Sequence, residues 1–430
     1  MDRVRVPRLI RACAHGGSRA RQPVGPRSVA PAVVWRRVAC IAVAALFAAG
    51  CLQAAPATPA HHVRDSAGVE IVENHSPVSS STWTVTADPV LDIAPEHTGE
   101  ADQAIGLAEG GMIVLSRFPP HFRVFDSSGS PVGAFGQRGD GPGEYRTVTW
   151  FQVSPGDSLF VFDAGLMRVT VSNVAGEPSR MVSVRSAADG SGLPLSGRAG
   201  RFSDGSLLAV PSAYLAPRGG RPEGVAYRNL MRVTEDGSIV ADLGRFPHFQ
   251  YVSVSRRARV PALFGAQLAH VVSSRDRVLL GFGDTFKILE LDLTGQVSRI
   301  IRKSHRSARI RGRHIEEAIR RAGYEHDDNA RRILESRVSA EEFPAYGPEW
   351  LIDRMDRLWV PDARPSGTMM RSWFVFASDG RWLKRVDLPR EFEPTDADRG
   401  HVTGVWTEPR TRTTSVRRYA LRTETSSGVM

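Results

Sequence analysis

The sequence predicts an all-β protein, and three observations support this fold class. From Gly68 onward, short runs of β-branched and aromatic residues alternate with turns rich in Gly, Asp, Asn and Ser. Helical spacing of apolar residues is almost absent before residue 305. A two-strand unit also recurs along the chain at a constant spacing. The composition, with 41% hydrophobic and 24% charged residues, is that of a folded protein rather than a disordered one.

Each recurring unit contains a polar residue, an apolar run, and a second β-type run that ends in a turn with Gly at its fourth position. Asp or Asn at the first turn position can bond the backbone, and Gly supplies the positive φ that closes a hairpin. We therefore expect two or more antiparallel strands in each unit. Three units have an offset of 18 residues, from Gly111 to Gly129, Ser158 to Gly176 and Arg277 to Gly295, and two are longer, from Ser206 to Gly237 (31) and Arg357 to Gly380 (23).

A sixth unit lies near the carboxyl end, in residues 404–406 and 416–421, but no final strand follows it. Such units cannot cover their own apolar faces, so they stack radially in a propeller or linearly in a solenoid. The missing strand is available near the other end, at residues 68–72 or 83–86. Completion by that strand leaves few free sheet edges. We therefore predict a six-bladed β-propeller over residues 66–424, closed by the N-terminal strand.

The first unit carries a motif that supports this fold. Residues 123–129 read RVFDSSG, and residues 135–145 read FGQRGDGPGEY. This segment resembles the NHL-repeat consensus, and residues 65–422 resemble the bacterial secreted six-bladed β-propeller family, which is often carried by lipoproteins. The other units lack the Phe-Gly and Gly-Pro-Gly elements of the motif. The resemblance implies the propeller fold, and a fold of this kind serves many functions.

One region, at about residues 305–340, departs from the β pattern. Residues 314–322 and 329–338 have apolar side chains at helical spacing, such as Ile315 and Ile319 in the first segment. We expect two short helices there, inserted between the fourth and fifth blades. Their Arg-rich faces are typical of a solvated surface, and the alternative is contact with an acidic partner or with lipid headgroups.

The first 50 residues form a leader with its own composition. They contain nine Arg and one Asp, and two Arg after Trp35 precede an apolar stretch of about a dozen residues. Small residues follow, and the letters AAGC at residues 48–51 resemble the bacterial lipobox, in which Cys51 would be lipidated. The alternative is plain secretion after cleavage near Ala55. Residues 1–33 exceed what a signal peptide needs, which suggests that the true start lies downstream.

The segments beside the leader and at the far end have compositions that do not favour packing. Residues 51–65 are rich in Ala, Pro and His, and we expect them to be a flexible tether. Residues 425–430 are predicted to be a tail. All three cysteines (Cys13, Cys40 and Cys51) lie at or before residue 51, so no disulfide or thiolate site is expected after it. The predicted location is the cell envelope, periplasmic or extracellular, with a lipid anchor in a bacterial membrane.

Motifs that could carry chemistry are few. The Gly-rich run at residues 136–143 resembles a phosphate-binding loop in composition, but it opens no helix and lacks the Gly-Lys-Ser/Thr ending. We therefore interpret this run as a structural turn. Residues 138–140 within it read RGD, a cell-adhesion tripeptide that one match does not support as a function. His121 and His248 lie in similar FPPHF and FPHF segments and are candidate metal ligands, although Pro-rich aromatic turns are more often packing corners.

Two acidic residues, Asp163 and Asp362, each follow the second apolar strand of a unit. We expect them to bond neighbouring backbone rather than to act in catalysis. The Gly-x-Ser-x-Gly pattern does not occur with the strand and helix that a nucleophile elbow needs, and there is no His-Glu-x-x-His. We therefore assign no catalytic residue, no metal site and no cofactor, and the residues that bind a ligand stay unknown.

These observations favour a binding or scaffolding module for an unknown protein or small-molecule ligand. One alternative is a metal-dependent enzyme with a site at the central channel, as in lactonase-like or lyase-like propellers. Another is a sensor or secretion-associated part that binds through its helical insertion. From residue 51 onward there are 47 basic and 45 acidic residues, so we expect no nucleic-acid partner. We also expect a monomer, held at the membrane through its N-terminal lipid.

Overall fold

The structure, a computed structural model, describes residues 59–116, 119, 121–154, 156–184, 200–211, 223–254, 259–364 and 369–424. These residues belong to one unit of the chain, Thr58–Met430. The predicted leader, Cys51, most of the predicted tether and the tail lie outside the described residues. No helix within the described ranges combines the length and the apolar character that a membrane crossing requires.

The described chain consists mainly of β-strands, and the first four are short. They are β1 (His61–Ser66), β2 (Val69–Asn74), β3 (Thr82–Val85) and β4 (Leu91–Ile93), followed by the one-turn helix α1 (Pro95–Thr98). β1 pairs with β2 as an antiparallel hairpin. β2, β3 and β4 then join sheets whose other strands come from the second half of the chain.

Three antiparallel sheets of four strands follow in chain order. The first contains β5 (Ala101–Gly106), β6 (Met112–Ser116), β7 (His121–Phe125) and β8 (Pro131–Phe135). The second contains β9 (Val148–Ser154), β10 (Ser158–Asp163), β11 (Arg168–Ser172) and β12 (Pro178–Ser183). The third contains β13 (Leu207–Ala209), β14 (Glu223–Val233), β15 (Ile239–Ser253) and β16 (Arg259–Pro261).

The remaining strands form two larger sheets, and each of them takes in N-terminal strands. A six-stranded sheet contains β17 (Ala269–Val272), β18 (Val278–Gly281), β19 (Lys287–Leu291) and β20 (Val297–Lys303), with β2 parallel to β20 and β1 at the edge. A nine-stranded sheet contains β21 (Leu351–Ile352), β22 (Leu358–Pro361), β23 (Met370–Phe376), β24 (Trp382–Pro389), β25 (Phe392–Ala397), β26 (His401–Thr407) and β27 (Thr414–Glu424). Its order is β21-β22-β23-β24-β3-β27-β26-β25, and β4 also pairs with β27.

The turns that define the sequence units have the predicted geometry. Asp126 accepts hydrogen bonds from the backbone N–H groups of Ser128 and Ser130 through Oδ1, at 2.9 and 3.0 Å. Gly129 has a φ of 85°, a left-handed conformation that glycine adopts without steric cost. The same arrangement recurs at Asn173 with Gly176 and at Asp292 with Gly295.

Buried apolar residues among the described part of the chain form seven clusters, and six of them share a pattern. Five of the six lie between two strand groups that follow one another in the chain, and the sixth lies between the last strand group and the first four-stranded sheet. The groups joined in this way are β6–β7 with β9–β10, β9–β11 with β13–β14, β13–β15 with β18–β19, β17–β20 with β22–β23, β22–β24 with β25–β27, and β26–β27 with β5–β7. The last cluster therefore connects the end of the described chain to its first four-stranded sheet.

The structure places the two segments that we considered for the closing strand in different sheets. β3, at one of these positions, pairs with β27 as well as with β24. Residues 68–72 instead fall largely within β2, which pairs with β20. The alternative that residues 68–72 supply the closing strand is therefore wrong. β4 pairs with β27 too, and it was not anticipated, because three residues are too short to show a period. β1 begins at His61, inside the segment that we expected to be a tether.

The two helices predicted between residues 305 and 340 are present. α2 (Gly312–Ala322) ends at Gly323, which is left-handed, and α3 (Asp328–Glu335) begins after Asp327. The Asp327 carboxylate accepts from the backbone N–H groups of Asn329 and Ala330, as N-terminal capping residues do. Ile319 is 1% exposed, and Glu317 lies 3.2 Å from Arg390. The insertion follows β20 and precedes β21, and the ion pair with Arg390 connects α2 to the turn between β24 and β25.

Candidate functional site

A cleft of about 360 Å³ lies beside the first four-stranded sheet and contains several polar side chains. Basic groups come from the start of β7 and from the loop after β8, while a carboxylate comes from the segment between α1 and β5. The cleft is lined by Gly99, Glu100, Ser116, Pro119, His121, Arg123, Gln137 and Arg138. Its volume is within the range of small-molecule sites.

Hydrogen bonds from β6 and β7 fix α1 at one wall of this cleft. The Ser116 hydroxyl donates to the Thr98 carbonyl oxygen at 2.5 Å, and Thr98 is fully buried. The Arg123 guanidinium donates to the carbonyl oxygen of His97. Since both acceptors lie in α1, whose last carbonyls lack helical partners, these bonds also satisfy the end of the helix.

The Gly-rich loop after β8 forms the opposite wall, and its own carboxylate fills the space among its glycines. Glu144 accepts from the Gly141 backbone N–H at 2.8 Å and from the Gln137 side chain at 3.0 Å. A Cβ built at Gly139 would lie 2.0 Å from Glu144 Oε2, so a larger residue there would displace the Glu144 carboxylate. These bonds lower the pKa of Glu144, which therefore stays ionised at neutral pH. A loop occupied by its own carboxylate supports the interpretation of residues 136–143 as a structural turn.

The two charged residues of the RGD tripeptide within this loop differ in their contacts. Asp140 forms an ion pair with Arg146, and it is therefore not an open acidic group. Arg168 donates to the carbonyl oxygens of Asp140 and Glu144, which fixes the loop on the second sheet. Arg138 is exposed and faces the cleft. Both residues are exposed, but Asp140 is paired with Arg146, whereas Arg138 makes no ion pair within the described residues.

The charge in the cleft is predominantly positive. Neither Arg123 nor Arg138 makes an ion pair with any residue in the described ranges, and Glu100 is the one carboxylate among the lining residues. The pKa of His121 is below its ordinary value, because burial disfavours the imidazolium ion and the neighbouring Arg123 adds a second positive charge. His121 is therefore neutral at pH 7, and the site favours an anionic group.

The two histidines that we considered as metal ligands lie on different sheets. His121 begins β7, whereas His248 lies in β15 beside Arg228 and His270. Burial, with smaller contributions from these two basic neighbours, lowers the pKa of His248 to about 4. Across the described residues, no group of three or more His, Cys, Asp or Glu side chains is arranged to hold a metal ion. The structure therefore does not bring His121 and His248 together.

The two aspartates that we expected to bond backbone both do so. Asp163 is fully buried and accepts from four backbone N–H groups, those of Arg146, Thr147, Gly165 and Leu166, at 2.6 to 3.1 Å. Asp362 accepts from the backbone N–H of Arg364 at 3.0 Å and forms an ion pair with its guanidinium. Asp163 thus joins the Gly-rich loop to the β10–β11 connection, and Asp362 organises the loop after β22.

Comparisons with known proteins define the fold and leave the ligand open. No family model and no curated protein matches this chain. Among solved structures, a member of the DUF4221 family from Bacteroides vulgatus aligns with a TM-score of 0.50 and 11% identity, over 81% of this chain and 100% of that one. A Bacteroides fragilis protein described as exported has a TM-score of 0.43, with 11% identity over 82% of this chain and 99% of its own. Virginiamycin B lyase from Staphylococcus aureus has a TM-score of 0.37, with 10% identity over 76% and 97%.

The described chain has a β-propeller-like fold. At these identities the similarity concerns the fold alone, so the residues of the cleft must be interpreted from their own chemistry. Sequence reasoning identified His121 but missed Arg123 and Arg138 as partners in one site. Both lie inside the motif that we matched to the NHL consensus. The sequence does show that Arg123 and Arg138 lie on either side of the turn of the first unit. The directions of the strands alone do not show that the two side chains reach the same cleft.

Proposed function

We propose first that the five sheets of this propeller form six blades of a closed ring. The nine-stranded sheet would then comprise two blades, β21–β24 and β25–β27 with β4, joined by β3. Trp359 and Trp373 of the first part pack with Phe392 and Tyr419 of the second in one buried cluster, as neighbouring blades do. The six clusters shared by successive strand groups also match six interfaces between blades. A crystal structure with seven blades, or with an open edge at β27, would contradict this proposal.

We further propose that the protein is a binding module whose ligand is a small anion, a carboxylate or a phosphate compound. One observation carries the proposal: Arg123, Arg138 and His121 line the same 360 Å³ cleft, and neither guanidinium has a carboxylate partner in the described part of the chain. Guanidinium groups bind carboxylates and phosphates through paired, charge-assisted hydrogen bonds. Glu100, on the same cleft, would accept from a hydroxyl or ammonium group of the ligand.

The ligand would gain its affinity mainly at Arg138, since Arg123 also holds α1 through the His97 carbonyl oxygen. Replacement of Arg138 therefore tests the site with little effect on the fold. Arg385 is a suitable control because it is about as exposed, belongs to β24, and is paired with Asp387 away from the cleft. Arg138→Gln and Arg385→Gln remove the same charge from the protein, so only local effects distinguish them.

The experiment is a calorimetric titration of the full-length chain with sulfate, as a phosphate analogue, and with lactate, as a carboxylate. We expect one of the two anions to bind, and Arg138→Gln to weaken its affinity by about tenfold or more, because a charge-assisted hydrogen bond contributes about 1.5–3 kcal/mol. Arg385→Gln should leave the affinity unchanged. The proposal fails if neither anion binds the wild-type protein at millimolar concentration, or if both variants weaken binding equally.

We also propose that the binding module is exported and held at the cell envelope. The support is the leader pattern and the lipobox-like residues 48–51, which lie outside the described residues. A lipid at Cys51 would place the propeller near a bacterial membrane, where it would bind ligands outside the cytoplasm. Fractionation of cells that produce the wild type or Cys51→Ala tests this location.

A further inference from the structure

The chain between the end of β20 and the first turn of α2 carries a run of exposed positive charge. We call residues 304–313 the basic segment. It contains no Asp or Glu, and all four of its arginines are exposed: Arg306, Arg309, Arg311 and Arg313. None of the four makes an ion pair with a carboxylate of the described residues. The fold therefore leaves the charge of this segment without direct neutralisation.

The arginines of the two helices that follow differ from these four, because many of them are paired. Arg320 and Arg321 both form ion pairs with Glu317, at 3.0 and 3.1 Å. Arg331 is paired with Glu335 at 3.1 Å. Paired charges on one surface attract an outside anion only weakly, since each carboxylate offsets its arginine. The excess positive charge of the insertion therefore lies mainly in the basic segment and not on the Arg-rich helix faces.

The basic segment has a defined backbone position. The Ile310 N–H donates to the carbonyl oxygen of Glu341 at 2.7 Å. Arg309 lies opposite Glu342 in an isolated antiparallel bridge. The side chains of Glu341 and Glu342 are exposed, and neither forms an ion pair with an arginine of the described chain. These two carboxylates offset only part of the four positive charges, so the surface keeps a net positive charge.

The start of the described chain lies beside the start of the basic segment. His61, the first residue of β1, pairs with Asn74, and Asn74 pairs with Lys303 at the end of β20. The backbone N–H of Ser304 also donates to the Asn74 carbonyl oxygen at 3.1 Å. Neighbouring strands are about 4.8 Å apart, so His61 lies about 10 Å from Lys303. The polypeptide that precedes His61 therefore enters the fold at the end of the sheet from which the basic segment leaves.

We propose that the basic segment binds the anionic phospholipid headgroups of a bilayer and turns this end of the six-stranded sheet toward the membrane. Guanidinium groups bind phosphates through paired, charge-assisted hydrogen bonds. Clusters of basic residues beside a membrane anchor are attracted to anionic lipids. The occupant is a lipid surface and not an acidic protein, because the chain that contains Cys51 enters the fold next to this segment.

The inference adds an orientation to the location proposed above. A lipid on a flexible tether holds a protein at the membrane but leaves it free to rotate, whereas a second contact on the folded part selects one face. The source of the bilayer rests on the proposed envelope location. Binding of headgroups by the four arginines does not require a lipid at Cys51, so the two proposals can fail separately.

The experiment measures the modification of individual arginines in the full-length protein. p-Hydroxyphenylglyoxal reacts with accessible guanidinium groups, and peptide mass spectrometry gives the rate at each site. One reaction contains vesicles of phosphatidylcholine alone, and the other contains vesicles of phosphatidylcholine and phosphatidylglycerol in equal amounts. Arg399 is the matched control: it is exposed and makes no ion pair within the described ranges, but it lies in the turn between β25 and β26. Binding through the leader alone would not distinguish it from the basic segment.

We expect the mixed vesicles to slow modification of the four arginines by about threefold or more, because each basic residue near an anionic surface is attracted to it. Modification of Arg399 should change by less than about twofold. Phosphatidylcholine vesicles should protect none of these sites, since they carry no net charge. About 0.5 M NaCl should remove most of the protection, because salt screens exposed charges.

A double variant tests whether the segment acts as a unit. Arg309→Gln with Arg311→Gln should reduce the protection of Arg306 by about half or more, because fewer charges hold the segment at the surface. Arg410→Gln with Arg412→Gln, at exposed positions between β26 and β27, removes the same charge and should leave that protection unchanged.

Three results would overturn the proposal. The first is the absence of protection at the four arginines with the mixed vesicles. The second is equal protection of Arg399, which would show that the folded part has no preferred face toward the lipid. The third is protection by polyglutamate but not by the vesicles, which would identify an acidic protein as the partner. Repetition with Cys51→Ala shows whether a lipid at Cys51 contributes, and it leaves these three criteria unchanged.

Discussion

The Oδ1 atom of Asn74 accepts a hydrogen bond of 2.7 Å from the backbone N–H of Trp382, a residue 308 positions further along the chain. The Asn74 side chain also donates to the carbonyl oxygens of Arg302 and Gly380, at 3.1 and 3.0 Å. Asn74 is 1% exposed. One amide group in β2 therefore joins the six-stranded sheet to the start of β24 and the turn before it in the nine-stranded sheet.

Replacement of Asn74 by Ala should destabilise the propeller by about 2–4 kcal/mol. The variant removes three hydrogen bonds at a buried or partly buried position, and each unsatisfied group costs about 1–3 kcal/mol, partly relieved by water. Urea unfolding measures the change. Glu73→Ala is the control: Glu73 is partly exposed and forms ion pairs with Arg64 and Arg302, so its loss should cost less than about 1 kcal/mol. Equal effects of the two variants would show that Asn74 does not join the sheets.

Asp163→Ala should be among the most destabilising single substitutions, at about 3 kcal/mol or more, because four backbone N–H groups lose one charged acceptor. Asp163→Asn should cost less. The amide oxygen of the new Asn side chain can keep the three hydrogen bonds that Oδ1 of Asp163 accepts. Its NH₂ group would replace Oδ2 and face the backbone N–H of Arg146, and two donors cannot form a hydrogen bond. Asp126→Ala, at an exposed turn, is the control and should cost about 1 kcal/mol or less. Thermal and urea unfolding of the three variants would rank them, and a similar cost for all three would argue against a special role for Asp163.

Anion binding in the His121 cleft should strengthen as the pH falls. In the free protein, burial and Arg123 keep the pKa of His121 below 6.5. A bound anion favours the imidazolium ion and raises that pKa, so binding takes up a proton. The affinity is then highest below the pKa of the free protein and falls as the pH rises through the pKa of the complex. Titrations with sulfate between pH 5 and 8 test this, because sulfate keeps its charge over that range. His121→Gln should flatten the profile, and an unchanged slope would show that His121 does not contact the ligand.

Cys51→Ala should release the protein from the membrane fraction of a bacterial host. Multiple acyl chains hold a protein stably, whereas a single chain binds reversibly. Because β1 begins at His61, we expect residues 52–60 to link the lipid to the fold, and a flexible chain of about nine residues would reach about 15–18 Å. The measurement is incorporation of a labelled fatty acid, compared between the wild type and the variant. An unlabelled wild type with an N-terminus after residue 51 would indicate ordinary secretion.

The strands and turns could be predicted because their causes are local. Asp126 with Gly129 is a turn in any context, and apolar runs such as β6 are recognisable without a partner. The pairing of β2 with β20 could not be predicted, since several strands of similar composition compete for one edge and only the packing of the complete fold selects among them. β4 was missed for the related reason that its three residues gain their strand conformation from β27.

The candidate sites were less predictable than the fold. His121 could be identified from its segment, but its relation to Arg138 depends on how the loop after β8 folds around Glu144.

The position of β3 between β24 and β27 has a consequence for the order in which the chain can fold. β3 is synthesised early, yet both of its partners are among the last strands to be made. Until β27 appears, the first strands have exposed edges, which are prone to pair with other chains. Contacts of such long sequence separation also slow folding, because the loop entropy is lost before the contacts form. Completion of the fold therefore depends on β27, and a chain truncated before residue 414 should aggregate rather than fold with this one strand missing.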